Sequence, residues 1–483
     1  MRLQFFVTLL CLSFFRFSVA ESSYFVREKA NSNRLVFAHY ITQFPISLDN
    51  KVSNNDYYSR QYLTVDGESG KHSEYGGFLR DRPALRKVIK NDHWKNIDFA
   101  SEIQTAISFG VDGFAVNLLS ADLKSKHWEN FKNILSASDD SVKSFNILFM
   151  PDMLSMYDGK SDEFVYSSLK KIILDINNFK SIYRDGSKIV VAPYLMELRS
   201  PIFWKSFVDD MSNSGVDVVL LGVFQGWRRY FDAYSDLRLF GFSDWGTRSN
   251  EKFLNYWLES NEFEQVFWMF PVSVQDFRPK SFFYQEAHNF NLMLNSWFKA
   301  IESNSGLVHL ITWNDYSENS HMAPSLHNGD TLLSLNSFFI QWFKTGKMPI
   351  IARDAVFYSY RKHSTDVSPN VQLEGFKLYN SDSPNNRIQA LVFSTAPGIL
   401  TIKINGEVKA IQDVPSGMSE VSIPLEAGVP SFVLSRSGEQ IINVKGKTLI
   451  VDHVDFQDLS YYFGFSLSEP LKKPLPPLLY KNY

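Results

Sequence analysis

Apolar, strand-like runs alternate with helical patterns over the first two thirds of the chain. The eight continuous apolar runs are 35–38, 112–116, 145–149, 188–192, 216–221, 239–242, 265–269 and 307–312. Such runs are typical of parallel strands that are buried on both faces. The segments between them carry apolar residues at the helical period, as in Ile97, Ile103 and Ile107, with Gly110 at the position of a left-handed cap. Eight strand–helix alternations predict a (β/α)8 TIM barrel.

The pattern changes after Pro349, where short runs of alternating apolar and polar residues replace the helical periods. Segments such as VQLEGFKLYN (371–380) and RIQALVFST (387–395) are bounded by Gly, Pro and Asn, which is typical of antiparallel sheets. The predicted fold class is therefore α/β, with a (β/α)8 barrel over residues 21–350 and a C-terminal antiparallel β-sandwich over residues 351–466. The Pro-rich residues 467–483 are predicted to form a tail.

The first residues have the outline of a secretory signal peptide. Arg2 precedes a Phe- and Leu-rich stretch that ends in the small-residue sequence SVA, so residues 1–20 are predicted to be removed. The stretch is too short to span a bilayer and Arg16 interrupts it, which argues against stable membrane insertion. We expect a secreted, periplasmic or extracellular protein. Its only cysteine, Cys11, would leave with the signal, so core packing rather than disulfides would stabilise the mature chain.

Charge and composition narrow the class of partner. Lys and Arg number 49 against 52 Asp and Glu, for a net charge of -3 without blocks of like charge. This balance argues against a nucleic-acid or anionic-membrane partner. Aromatic residues form 15% of the chain, more ring surface than a core requires, so we expect some rings to face a ligand.

Polar and aromatic residues follow the carboxyl ends of the predicted strands, where the active site of a TIM barrel lies. The substrate-binding candidates are His39, Tyr40, Asn117, Asp152, Trp227, Asp244, Trp245, Trp313, Asn314, Tyr316 and His321. Further polar residues at the same ends are Glu197, Gln225, Ser273 and Asp276. Flat rings stack on sugar faces, while carboxylates and amides bind hydroxyl groups. The set predicts a carbohydrate site.

Asp315 and Glu318 leave the eighth predicted strand three residues apart. A helix-like turn would bring both carboxyl groups into one pocket. Glycoside hydrolysis uses such a pair, one protonated to release the leaving group and one ionised to activate water or attack carbon. Burial and mutual repulsion would separate their pKa values. The alternative, which the sequence leaves open, is that either acid caps the following segment or pairs with Arg or Lys.

Several candidates also fit a plain structural role. His39 either binds a sugar hydroxyl or is a satisfied core histidine. Asp152 either binds substrate or caps a helix that begins near Leu154. Glu197 and Glu286 each fit a salt bridge as well as a site role.

The cluster after the eighth strand leaves similar choices open. Trp313 and Tyr316 are both expected near sugar, although one of them could pack against the barrel rim instead. His321 is close enough in sequence to orient Glu318.

The motif TWNDYSENSHMAP (312–324) resembles the TWNDYGES region of glycoside hydrolase family 71, the α-1,3-glucanases or mutanases. The segments that resemble this family's barrel are LVFAHY (35–40), DFASEIQTAISFGVDGFAVNL (98–118), FNILFMPDM (145–153) and FWMFPVS (267–273). Those that resemble its following β-domain are DAVFYSYRKH (354–363) and GVPSFVLSRSG (428–438). The resemblance spans roughly residues 35 to 440.

The resemblance implies a secreted, endo-acting α-1,3-glucan hydrolase that inverts configuration and acts on a polysaccharide without a cofactor or metal. It places the acid/base pair at Asp315 and Glu318, with Glu318 as the acid and Asp315 as the base. Two departures weaken the inferred α-1,3-glucan specificity. Asn319 is an extra residue before Ser320, and GFSDWGTRS (241–249) replaces a Trp-rich segment.

Two other functions fit the same residues. Family 99, whose members act on α-mannosides with retention, has a similar loop with two acids at this spacing, so an endo-α-mannosidase or another α-glycan hydrolase is the alternative enzyme. A non-catalytic carbohydrate-binding protein fits less well, because both acids of the motif are present.

Overall fold

The structure, a computed structural model, describes residues 34–237, 239–250, 252–253, 266–303 and 305–467. The predicted signal peptide lies outside the described residues, as do residues 468–483 of the predicted tail and Gln265 of the seventh predicted strand. Among the described residues, no helix is both long and apolar enough to cross a membrane.

Eight parallel strands form a closed barrel, as predicted. They are β1 (Leu35–Ile41), β2 (Gly113–Leu118), β3 (Asn146–Pro151), β4 (Lys188–Val191), β5 (Val218–Phe224), β6 (Gly241–Asp244), β7 (Trp268–Ser273) and β8 (Leu307–Ile311). The order around the sheet is β3-β2-β1-β8-β7-β6-β5-β4. Pairing of Phe149 with Val191 joins β3 to β4 and closes the barrel.

Strands β5, β6 and β7 begin two or three residues later than the apolar runs that predict them. For two of the strands the cause is visible in the core. Val216 and Leu239 are buried before their strands begin and belong to the core between strands and helices. An apolar run records burial rather than strand pairing, so it extends upstream of each strand.

Side chains on the strands alternate between two cores, as the two-residue period of a strand requires. On β1, Val36, Ala38 and Tyr40 join the core between strands and helices, whereas Phe37 belongs to the core inside the barrel. The alternation places His39 inside the barrel and Tyr40 outside it. The same rule decides which site candidates face the mouth.

Seven described helices surround the barrel. They are α1 (Trp94–Ser108), α2 (Lys126–Asp139), α3 (Asp162–Ile176), α4 (Pro201–Asn213), α5 (Phe231–Ser235), α6 (Asn291–Glu302) and α7 (Thr331–Thr345). Ser125, Ser161 and Ser200 cap α2, α3 and α4 by accepting a backbone N–H of the first turn. Gly346, at φ 69°, ends α7 in the left-handed conformation that glycine tolerates.

The C-terminal domain is an antiparallel sandwich, as predicted. Its strands are β9 (Ala355–Arg361), β10 (Arg387–Ser394), β11 (Gly398–Ile404), β12 (Glu407–Val414), β13 (Gly417–Pro424), β14 (Pro430–Arg436), β15 (Glu439–Lys445) and β16 (Tyr461–Phe465). The two sheets have the orders β13-β10-β9-β16 and β12-β11-β14-β15. Phe357 and Phe393 of the first sheet join the barrel's outer core, while Tyr358 and Val392 face the second sheet.

The segment 371–380 is not a sandwich strand, contrary to its alternating pattern. Only Lys377–Leu378 is extended, and it pairs in parallel with Phe283–Gln285 of the loop after β7. The third strand of this small sheet is Asp276–Arg278. The sheet thus holds Asp276 and Arg278 beside the barrel mouth.

A buried ion pair joins the two domains. Glu286 Oε2 lies 2.9 Å from Arg361 Nη1, and both side chains are almost fully buried. The Tyr461 hydroxyl donates to Glu286 Oε1 at 2.6 Å, and the Arg361 guanidinium lies 4.0 Å from the centre of the Tyr461 ring. Of the two roles open to Glu286, the structure gives it the salt bridge.

Candidate active site

The loop that follows β8 is closed on itself by hydrogen bonds. Thr312 N–H donates to the Ser320 carbonyl at 3.0 Å, and the two hydroxyl groups lie 3.1 Å apart. Thr312 Oγ1 also accepts the N–H of Asp315 at 2.9 Å. Asn319, at φ 53°, adopts the left-handed conformation that asparagine tolerates better than most residues. The turn between Thr312 and Ser320 therefore fixes where Asp315 and Glu318 leave the backbone.

Asp315 is a buried acid with one saturated oxygen. Its Oδ1 accepts the Ser317 N–H at 2.9 Å, the Ser317 hydroxyl at 2.7 Å and the Glu318 N–H at 3.1 Å. Burial, followed by repulsion from Glu318, raises the pKa of Asp315 to about 7. The three donors favour the charged form but do not outweigh burial. Because Oδ1 is occupied, a proton on this group sits on Oδ2.

Glu318 lies between two arginines from other parts of the barrel. Its Oε2 is 2.9 Å from Arg248 Nη1, and its Oε1 is 2.8 Å from Arg278 Nη1. Asp276 completes the network, since its two oxygens accept Arg278 Nε and Nη2 at 2.8 Å each, and Arg248 Nη1 lies 3.0 Å from Oδ2. We call Asp276, Arg248, Glu318 and Arg278 the mouth network.

The charges of the mouth network help to explain the raised pKa of Asp315. Two guanidinium groups and two carboxylates sum to zero when Glu318 is ionised. An ionised Asp315 would add one uncompensated negative charge in a buried position, which is costly. The charge balance therefore favours the protonated form of Asp315 while Glu318 stays paired with both arginines.

Polar side chains line the barrel interior next to this network. The His39 ring is 4.6 Å from the Trp245 ring and 5.3 Å from the His309 ring, and Asn117 Nδ2 is 3.3 Å from His39 Nε2. Burial, with His309 and Arg248 nearby, holds the pKa of His39 well below its usual value. Burial, followed by Arg248, lowers the pKa of His309 to about 3. Both imidazoles are thus neutral near neutral pH.

Buried hydrogen-bonding atoms remain available at this level of the barrel. Within the described part of the chain, His39 Nδ1, Asn117 Oδ1, both His309 ring nitrogens, and Arg248 Nε and Nη2 are buried without a partner. Buried polar atoms in native proteins are almost always satisfied, so such a cluster points to a ligand or to catalysis. The Trp245 ring lies among them, 4.9 Å from the Arg248 guanidinium and 4.9 Å from the Tyr194 ring.

Three predicted substrate-binding residues face the helices instead of the mouth. The Tyr40 hydroxyl and Trp313 Nε1 donate to the two oxygens of Glu102 on α1, at 2.9 Å and 3.1 Å. Trp227 packs against Trp268, with ring centres 4.8 Å apart. All three belong to the outer core. The sequence predicts them near sugar because each lies at or after the end of a predicted strand. Tyr40 points outward through the strand alternation of β1, whereas Trp227 lies in a 3-10 helix and Trp313 in the loop after β8.

Asn314 and Asp244 hold loops in place. Asn314 Oδ1 accepts the Ile41 N–H at 2.8 Å, and its Nδ2 donates to the Ile41 and Phe44 carbonyls at 2.9 Å each. Asp244 accepts the N–H groups of Gly226, Trp227 and Gly246 at 2.6–2.8 Å. These side chains shape the mouth through the backbone.

Tyr316 and His321 stack on each other, with ring centres 4.2 Å apart. His321 Nε2 lies 3.0 Å from Asp81 Oδ2 in the long loop after β1. Burial acts to raise the pKa of Asp81, but His327 and His321 outweigh it and lower the pKa to about 2. His321 therefore pairs with an ionised Asp81 and does not orient Glu318, whose two oxygens are bound by arginines.

Asp152 and Glu197 both accept backbone N–H groups at the ends of their strands. Asp152 Oδ1 accepts the N–H groups of Leu154 and Ser155 at 3.0 Å and 2.7 Å, which closes the turn over residues 153–159 and does not cap a helix. Glu197 Oε1 accepts the Gln225 N–H at 3.0 Å. Burial raises the pKa of both acids.

The sequence did not single out Arg248, Arg278, Tyr194 or His309. Burial, followed by the negative charges of Glu318 and Asp152, raises the pKa of Tyr194. The Tyr194 hydroxyl is therefore close enough to both acids to interact with them electrostatically. A polar residue inside a buried strand, such as His309 in LVHLI, was the available signal. Among the described residues, no group of His, Cys, Asp and Glu is arranged to hold a metal ion.

Comparison with known proteins identifies a family and individual relatives that match parts of the chain. The model of the family described as Glycosyl hydrolase family 71 matches residues 87–469. A mutanase of Penicillium rubens is 25% identical over 189 residues, which cover 36% of this chain and 42% of that protein, less than half its length. A glucan endo-1,3-alpha-glucosidase of Schizosaccharomyces pombe is 23% identical over 405 residues, which cover 76% of this chain and 90% of that protein.

The fold also resembles a solved structure. The GH99 endo-alpha-mannosidase of Bacteroides thetaiotaomicron superposes with a TM-score of 0.50 at 12% identity, covering 65% of this chain and 99% of that one. At this identity the likeness concerns the fold alone.

Proposed function

The chain belongs to glycosyl hydrolase family 71, and on that premise we propose that it cleaves internal α-1,3 links of a glucan with Asp315 and Glu318 as its catalytic carboxyl groups. It is a glycoside hydrolase. Two relatives that align with most of the chain are named for endo-acting cleavage of α-1,3-glucan. The observation that carries the proposal is the pair itself, a buried acid with a pKa of about 7 beside a carboxylate held by two arginines.

In the proposed mechanism Asp315 is the general acid. Its proton, on Oδ2, passes to the glycosidic oxygen as the bond from that oxygen to the anomeric carbon breaks. A water molecule attacks the anomeric carbon, and Glu318 accepts the proton that the water loses. Each carboxylate oxygen retains a second lone-pair direction beside its arginine contact, so Glu318 can still accept this proton. Direct attack by water inverts the anomeric configuration.

The neighbouring groups support this division of roles. Arg248 and Arg278 keep a negative charge on Glu318 as the oxocarbenium-like transition state develops. Trp245 offers a ring, and His39, Asn117 and His309 offer the unpaired polar atoms described above, for sugar hydroxyl groups. We assign these residues to the subsite in which cleavage occurs.

The family membership also bears on the domains and the location of the protein. We propose that residues 21–350 form the catalytic domain and that the sandwich over residues 351–466 buttresses it through the Glu286–Arg361 pair. We also propose that residues 1–20 direct the protein out of the cytoplasm, where a polymeric glucan would be met.

The test is to incubate the purified protein with insoluble α-1,3-glucan and, separately, with α-mannan, and to follow the anomers of the products by NMR. We expect soluble α-1,3-oligosaccharides whose first-formed anomer is β, and no release from mannan. Release from mannan alone would favour the endo-α-mannosidase alternative, and a first-formed α anomer would exclude direct attack by water. If Asp315→Asn and Glu318→Gln both stay active, the assignment of the catalytic pair is wrong.

A further inference from the structure

A pocket lies beside the carboxyl end of β1. Its volume is about 440 Å³, within the size range of sites for small molecules and single sugar units. The residues that define it below are Thr42, Gln43, Tyr57, Trp94, His127 and Asn130. Thr42 and Gln43 follow β1, Trp94 begins α1, and His127 lies in the first turn of α2. In a TIM barrel the strand ends and helix starts share one face, so this pocket opens on the catalytic face.

The pocket is separate from the mouth network. None of the residues that line it belongs to that network or bears a catalytic carboxyl group. The segment that follows β1 stands between the two places. Asn314, next to Asp315 in the chain, binds the backbones of Ile41 at the end of β1 and of Phe44, while Thr42 and Gln43 between them face the pocket.

Aromatic rings at the pocket are half-exposed and held in place. The Tyr57 hydroxyl donates to Glu68 Oε1 at 2.9 Å, and its ring meets the Tyr62 ring at 5.1 Å. The Trp94 ring has the Arg86 guanidinium 5.7 Å and Lys95 Nζ 5.8 Å from its centre. Rings fixed in this way offer flat faces at little cost in conformational entropy, which suits stacking on a sugar ring.

Polar groups at the pocket are oriented by their neighbours. Thr42 Oγ1 lies 2.9 Å from His127 Nδ1, and Asn130 Nδ2 donates to the Thr42 carbonyl at 2.9 Å. Burial lowers the pKa of His127, so its ring is neutral near neutral pH and its Nε2 can bind a hydroxyl group. The amide of Gln43, half-exposed at the pocket, offers a further donor and acceptor.

The charges at the pocket are mostly compensated. Lys95 Nζ lies 2.8 Å from Glu129 Oε1, and Asp98 Oδ2 lies 2.6 Å from Arg86 Nη2. The remaining charged residue at the pocket is the exposed Lys126. Flat rings with neutral hydrogen-bonding groups and little net charge fit an uncharged, hydroxyl-rich ligand better than an anion.

We propose that this pocket is a distal glycan subsite, which holds a neutral glucosyl segment of the polymer away from the bond being cleaved. This inference rests on the proposed function, because an endo-acting hydrolase meets a chain long enough to reach both places. Holding the distal segment raises the effective concentration of the chain at the mouth. Long substrates should benefit from the pocket and short ones should not.

The experiment compares two pocket variants with a matched control. Trp94→Ala removes an aromatic wall and Gln43→Ala removes a polar group, while Trp342→Ala removes a half-buried tryptophan of α7 that packs on Phe298 and Phe338. The readout is kcat/KM on insoluble α-1,3-glucan divided by kcat/KM on an α-1,3-linked tetrasaccharide. We expect this ratio to fall about tenfold for Trp94→Ala, equivalent to about 1.4 kcal/mol, to fall by a smaller factor for Gln43→Ala, and to stay within about twofold of wild type for Trp342→Ala.

A second measurement separates this proposal from the proposed function. Binding of the Asp315→Asn variant to insoluble α-1,3-glucan is measured by depletion from solution, alone and combined with Trp94→Ala or with Gln43→Ala. This measurement needs no turnover. If the wild type cleaves no α-glucan yet Trp94→Ala still weakens binding, only the proposed function fails. Unchanged ratio and binding in both pocket variants would overturn the distal subsite, as would an equal loss on both substrates in a variant that melts like the wild type. Gln43→Ala keeps the test decisive if Trp94→Ala does not fold.

Discussion

Replacement of Asp315 by asparagine should abolish turnover and at the same time stabilise the protein. Asparagine has nearly the shape of a protonated aspartic acid. Its Oδ1 can still accept the three donors from Ser317 and Glu318, and its Nδ2 takes the place of the protonated Oδ2. The variant thus keeps the contacts and loses only the ability to ionise.

The magnitude follows from the pKa of Asp315. Folding raises that pKa from 3.8 to about 7. Below the lower value the group is protonated in the folded and unfolded states, and it makes no difference to stability. Between the two values the unfolded chain has released the proton and the folded chain retains it, so the wild type loses stability as pH rises. Three units at 1.36 kcal/mol each bound the effect at about 4 kcal/mol above pH 7.

The assay is the guanidinium midpoint and the melting temperature of both proteins at about pH 4.5, about pH 6 and about pH 8. Only the difference in stability between the variant and the wild type at each pH is used, so that the contributions of other titrating groups cancel. We expect the variant to be similar to the wild type at the lowest pH and more stable by several degrees at the highest.

A difference that does not grow with pH would refute the assignment of a protonated, buried Asp315. Glu318→Gln is the control. It removes the negative charge between Arg248 and Arg278 and leaves two guanidinium groups facing each other across a neutral amide, so it should destabilise the protein across the same pH range. General damage to the loop would destabilise both inactive variants. It would not produce changes in unfolding free energy of opposite sign.

The remaining predictions concern the electrostatics of the site and the domain interface. In the wild type, kcat/KM on α-1,3-glucan should fall as pH rises through about 7, where Asp315 loses its proton. Because Arg278 lowers the pKa of Asp315, Arg278→Gln should move this fall in kcat/KM to higher pH. Arg361→Met should cost about 3–5 kcal/mol of unfolding free energy by leaving Glu286 buried and unpaired. The double variant with Glu286→Leu should recover much of that loss, measured by denaturation with Lys362→Met as a surface control.

The barrel was predictable because its signal is repeated. Eight apolar runs and the helical periods between them agree with one architecture, and the errors are confined to strand ends such as Val216 and Leu239, which are buried without being paired. The sandwich was predictable for the same reason. The prediction for segment 371–380 was wrong because any half-buried extended chain can show the same alternation of apolar and polar residues. The segment pairs with a loop of the barrel and not with a sandwich strand.

The candidate site was predictable only in part. Position after a strand is visible in the sequence, and it led to Asp315, Glu318, His39, Asn117 and Trp245. The face on which a side chain lies depends on register, and a shift of one residue reverses it. That is why Tyr40 was expected at the mouth although it binds Glu102 on α1, as does Trp313 from the loop after β8.

The roles of the two acids depend on residues far from them in sequence. Arg248 and Arg278 come from the loops after β6 and β7, and no spacing rule links them to Glu318. The segment GFSDWGTRS, where the sequence resemblance predicts a departure from the family pattern, comprises β6 and the start of its loop and supplies both Trp245 and Arg248. These side chains line the barrel interior or contact Glu318 and do not lie on a remote surface. A chain with the same two acids but no arginine at position 248 would leave Glu318 with one cationic partner instead of two. The effect of Glu318 on the pKa of Asp315 would then change. In the proposed mechanism the division into acid and base thus depends on the mouth network, and a change at position 248 should alter the pH profile even though both acids of the motif remain.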